Sequence, residues 1–150
     1  MTFIFAPSFA LDNNFTVNRE VAFDQQSNLT WMRCSVGQSF SETNGVGGCS
    51  GKVSLMSLDE AIKSNWGEWR LPTKDELVTL INLNNTGLKI DQTVFPDMDE
   101  ENSWYWTSSP SFGSSFWNVN FAGGNAFDKI QSNSLGAVRL VQQGATFRMH

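Results

Sequence analysis

The chain has 150 residues with a formal charge of −5, set by ten Lys+Arg against fifteen Asp+Glu. That is one small acidic domain, long enough for a single core. The scattered basic residues exclude a general phosphate-backbone binder, which needs clustered positive charge. No stretch nears the ~20 apolar residues of a membrane span, and six Trp and twelve Phe are too many for a disordered chain.

Residues 1–11, MTFIFAPSFAL, are apolar and uncharged, and small residues precede the polar Asp12. They read as a secretory leader shortened at its front, with maturation near Ala10 and a single domain over 12–150. A plain N-terminal strand is the alternative.

Residues 15–33 read as a hairpin. Val21 and Phe23 share a face, Asp24 to Asn28 turns, and Leu29, Trp31 and Arg33 return. Cys34 and Cys49 then bracket a Ser/Gly/Asn-rich segment without helical or strand period, read as a long loop. A disulfide closing that loop contributes about 3 kcal/mol on the chain-entropy estimate and places the chain in an oxidising compartment: secreted, periplasmic or cell-surface. Two free thiols are the alternative. A metal site is poorer, because two Cys and the single His150 cannot supply four soft ligands.

Ser57 and Glu60 predict a capping box for a helix carrying Leu58, Ala61 and Ile62 on one face. It should stop near Asn65-Trp66-Gly67. Trp69-Arg70-Leu71-Pro72 is extended, as a residue before proline prefers. Thr73 and Glu76 predict a second box, ahead of Leu77, Leu80 and Ile81. Both helices are expected to run two to three turns, the second closing in Asn and Gly. From Tyr105 the chain reads as short strands. Phe116 to Phe121 alternates, with Trp117, Val119 and Phe121 on one face and Asn118 and Asn120 on the other. A turn at Gly123-Gly124-Asn125, a strand from Ala126 to Gln131 and a last strand from Ala137 to Val141 complete an α+β domain.

Four segments in order carry a resemblance: Asn28-Leu29-Thr30-Trp31-Met32-Arg33; Trp69-Arg70-Leu71-Pro72-Thr73 with Glu76-Leu77; Trp104-Tyr105-Trp106-Thr107-Ser108-Ser109; and Gly136-Ala137-Val138-Arg139-Leu140-Val141. Across residues 20 to 142 the chain resembles the C-terminal domain family named after the Legionella collagen-like adhesin. The resemblance implies a C-type-lectin-like fold: two short helices with antiparallel strands and one disulfide, related to formylglycine-generating enzymes and the variable proteins of diversity-generating retroelements. It also implies an exported ligand-binding module, and a homo-oligomer, since the adhesin is a trimer that binds sulfated polysaccharide. This chain has no Gly-X-Y segment and is acidic, whereas sulfates are met by Lys and Arg. The sulfated ligand is therefore not carried over.

Catalysis lacks a histidine that the fold can aim, since His150 is terminal, so no enzyme and no cofactor is expected. The acidic run Asp97, Asp99, Glu100, Glu101 has oxygen ligands that suit Ca²⁺, but it lacks the EF-hand pattern and reads first as a solvated loop. Trp31, Trp69 and Trp106 are assigned to the core, and Arg70 and Arg139 to structural pairs with a carboxylate such as Asp24, while Trp66 and Trp117 are the candidates for exposure. The stretch from Ser108 to Asn133 mixes Ser, Asn, Gly and Phe as binding surfaces do. Trp117, Asn118, Asn120, Asn125, Phe112 and Phe116 are its candidate contacts with a glycan or protein ligand; ordinary β-turns are the alternative. A docking subunit of a surface or secreted assembly and a catalytic formylglycine-type relative remain the other functional readings.

Overall fold

The computed structural model describes residues 14–98 and 100–145, and the leader reading over 1–11 lies outside them. Three sheets and two short helices follow in chain order. β1 (Phe15–Asn18), β2 (Val21–Asp24) and β3 (Leu29–Met32) form an antiparallel run that β9 (Val141–Gln143) completes against β3. The expected hairpin is present, with one more strand in front of it. Asp24 is buried and fixes the β2–β3 turn, its carboxylate accepting from the Gln26 N–H and the Ser27 hydroxyl. It is therefore a turn residue and not the partner of an arginine.

The segment between the cysteines is a hairpin, not a plain loop. β4 (Ser39–Thr43) pairs with β5 (Val46–Ser50) around Asn44-Gly45, both with positive φ (54° and 78°). Asn-Gly in that conformation matches the right-handed twist of two antiparallel strands. The Cys34–Cys49 disulfide, with Cα atoms 5.6 Å apart, ties this hairpin to the end of β3.

Both capping boxes form, Ser57 with Glu60 ahead of α1 (Leu58–Lys63) and Thr73 with Glu76 ahead of α2 (Lys74–Val78). The helices are shorter than expected, six and five residues. Each gives way to turns once its one buried stripe is seated, Leu58 and Ala61 in α1 and Leu77 in α2.

The third sheet is the meander β6 (Trp104–Pro110), β7 (Ser115–Asn120) and β8 (Asn125–Gln131). A register shift between Phe116 and Asn118 leaves two β8 residues, Asp128 and Lys129, across from Trp117. Tyr105, Val119 and Phe121 enter a core with Trp31, Leu77 and Phe95, while Trp106 enters a second with Trp69, Leu71 and Val138. The last strand differs from expectation: residues 136–140 make only single bridges, Gly136 to Met56 and Ala137 to Tyr105, and the ladder begins at Val141. Arg139 lies in that connecting stretch and is fully buried.

Candidate functional site

The three tryptophans assigned to the core are buried. The Trp106 indole N–H donates to the Met56 carbonyl at 2.7 Å, satisfying a polar tip that burial would otherwise strand. Of the two candidates for exposure, Trp66 stands 58% exposed against Trp69, ring centroids 6.3 Å apart. Trp117 is half-buried under α2, with the Lys74 ammonium 4.8 Å from its ring centre. A cation occupies that face, so Trp117 is not an open stacking surface.

The arginines of the two motifs each pair with a carboxylate, as expected, though neither carboxylate is Asp24. Arg70 forks onto both Glu76 oxygens, at 2.8 and 2.9 Å. Its guanidinium is held above its ordinary value, chiefly by that hydrogen bond. Burial alone would push the Glu76 carboxyl up, but the bonds from Arg70 and the Thr73 backbone N–H, with the arginine's charge, outweigh it and hold the carboxyl below the usual range. Arg139 meets Asp97, and Arg33 donates to the carbonyls of Val94 and Arg19 at 2.8 and 2.7 Å. Burial lowers the Arg33 guanidinium, partly offset by Glu42.

Asp97 therefore leaves the calcium reading. It is buried, and both its oxygens accept from Arg139 while one also accepts from Ser35. An added cation would have to displace a guanidinium. Asp99 and the Glu100 side chain lie outside the described residues. Among the described residues no group of three His, Cys, Asp or Glu could hold a metal ion, and no helix is long and apolar enough to cross a membrane.

The six candidate contacts divide. Asn118 is 2% exposed, wedged by Gly136 and Trp106, with its Oδ1 accepting no bond among the described residues. Alternation puts it on the face opposite Val119, as expected, but the stretch around Gly136 covers that part of the face. Asn118 is therefore interior, not a ligand contact. Phe116 is partly buried against the second core. Phe112, 71% exposed at the β6–β7 turn, Asn125 and the half-buried Asn120 reach the surface. Register sets Trp104 across from Asn120, and Asn120 across from Asn125. Two residues along β8, Phe127 meets Trp104 with ring centroids 4.9 Å apart and stands 38% exposed. In the sequence Trp104 stands out only as a motif residue, and Phe127 does not stand out. Period-two alternation from Trp106 and Asn125 would have found both.

A groove of about 440 Å³ lies elsewhere, beside the disulfide, with Trp66, Met32, Cys34 and Leu140 in its lining. Its walls are held from within by the Arg139 guanidinium, which donates to the Met32 and Arg33 carbonyls at 2.9 and 2.8 Å.

A family model described as the Lcl C-terminal domain matches residues 20–142. The chain belongs to that family. No curated protein and no solved structure matches it. Membership in the Lcl C-terminal domain family, together with the disulfide, suggests an exported surface protein.

Proposed function

We propose that this Lcl C-terminal domain is a non-enzymatic binding module of C-type-lectin-like architecture, which recognises a glycan or protein surface in an adhesin-like role. The observation that carries the reading is the Trp104–Phe127 pair on the β6–β7–β8 sheet, with Asn120 and Asn125 on the same face. Aromatic area beside carboxamides offers apolar contact and adaptable hydrogen bonds together. Exposed Phe112 adds apolar area on the same sheet, at the β6–β7 turn. The non-enzymatic reading is supported by both cysteines lying in the bridge and by Ser35 and Asp97 being taken up in the Arg139 network.

The test is a glycan array, alongside a panel of purified surface proteins, probed with the wild type and with Trp104→Ala/Phe127→Ser. The expected result is a ligand held by the wild type and weakened about tenfold or more in the variant, since buried aromatic anchors dominate such surfaces. The two circular dichroism spectra should be equal. Equal binding by both proteins, or blank panels throughout, would overturn the reading.

A further inference from the structure

The groove beside the disulfide has a chemistry of its own. Its lining includes Glu20, Gln38, Phe40 and Trp66 above an apolar floor of Met32 and Leu140, and contains no Lys or Arg. The Glu20 carboxylate is exposed and makes no hydrogen bond or ion pair among the described residues. Trp66 is the most exposed tryptophan and makes no contact through its indole N–H among the described residues. Two arginines lie over the Phe40 ring, and neither is part of the groove lining. Arg33 donates to three backbone carbonyls, and Arg19 lies 3.9 Å from Glu42.

A free carboxylate and an open indole face in one groove favour a cation, the first by charge and the second by its ring quadrupole. An anionic ligand would be repelled by Glu20, on a chain already at −5. The adjoining main chain narrows the source of that cation. Among the described residues β4 pairs only with β5, so its outer edge, which includes Ser39 and Phe40 of the lining, has no strand partner there. An extended peptide can satisfy such an edge, and a free amine cannot.

We propose that the groove docks an extended basic segment of a protein partner, seating a lysine or arginine side chain between Trp66 and Glu20 with its backbone along β4. This rests on the binding-module reading above but uses a different surface from the Trp104–Phe127 face. The disulfide and Arg139 hold the groove walls in place before the partner arrives, which lowers the cost of ordering them.

The experiment titrates the intact, oxidised protein with a blocked, extended hexapeptide bearing three lysines. The same peptide with norleucine at those positions and a free aliphatic diamine serve as controls. Calorimetry reads affinity and the ¹⁵N indole resonance of Trp66 reads location. The lysine peptide should bind and shift that resonance, and added salt should weaken it because Glu20 is exposed. Glu20→Gln and Trp66→Leu should each weaken binding roughly three- to fivefold, with unchanged melting temperatures. Trp104→Ala/Phe127→Ser should bind the peptide as the wild type does, so a failure of the sheet-face reading would show there and not in the groove. Equal binding of the norleucine peptide, or indifference to both groove substitutions, would overturn the cation site. A diamine that binds as tightly as the lysine peptide would overturn the extended segment.

Discussion

Arg139 grips both oxygens of Asp97 through one nitrogen, at 2.7 and 2.9 Å, and neither side chain has any exposure to solvent. The guanidinium carbon lies 4.6 Å from the Phe95 ring centre and 5.4 Å from that of Tyr105. Asp97 also accepts from Ser35, whose oxygen meets the Tyr105 hydroxyl at 2.5 Å. The network joins β3's end, the acidic stretch and the connection into β9.

Removing one member of such a pair strands the other charge in a dry interior, which costs about 3–5 kcal/mol. Asp97→Ala and Arg139→Met should each lose stability on that scale in urea unfolding. The double substitution should lose clearly less than their sum, because the stranded charge is gone. Additive losses would show that the two side chains act independently.

The disulfide supports a hairpin that buries little apolar surface of its own. Cys34→Ser/Cys49→Ser should unfold about 3 kcal/mol more easily than the wild type. A thiol reagent applied to native, unreduced protein should label nothing, since both sulfurs are in the bridge. Labelling at either cysteine would contradict the bridge and with it the argument for an oxidising compartment.

Glu76 gives the chain a defined acid response. Its carboxyl titrates lower in the folded protein than the ordinary 4.5 of an unfolded chain. The unfolded state therefore takes up the proton first, and the stability due to Glu76 is complete above 4.5 and lost as pH falls through the folded value. At neutral pH, Glu76→Gln should cost about 1 kcal/mol, from a lost charge pair and a weakened capping box. That gap should hold steady from about pH 7 down to about the ordinary 4.5 and narrow below it. A gap of constant size would assign the loss to something other than ionisation.

Gly37 sits at φ +102°, where a Cβ would fall 2.7 Å from the Ser54 backbone nitrogen and 2.8 Å from the Lys52 carbonyl oxygen. Backbone cannot swing aside as a side chain can. Gly37→Ala should destabilise by about 2 kcal/mol or more, while Gly48→Ala, with open space around its Cβ, should change the midpoint little. Similar midpoints for the two would show that Gly37 is not held as described.

Local signals were legible where one short interaction decides the structure. Both capping boxes, the bridge and the three buried tryptophans follow from residues close in sequence or from a single pairing. The Asn44-Gly45 turn is equally legible, but the polar composition around it reads as loop. What sequence reasoning missed depends on contacts far along the chain. Asn118 alternates as expected, yet Gly136 and Trp106 cover it. Arg139 finds Asp97, 42 positions away, where composition alone offered many carboxylates. The groove beside the disulfide joins Glu20, Phe40, Trp66 and Leu140, four segments that no local pattern links.

The hairpin between the cysteines is anchored at its base by a covalent bond and ends in the exposed Asn44-Gly45 tip. Among the described residues its strands pair with each other and with no other strand. Such an arm is insulated from the two cores, so residues at its tip can be exchanged or lengthened without retuning the interior. It is the place in this domain to graft a foreign epitope or a reporter peptide.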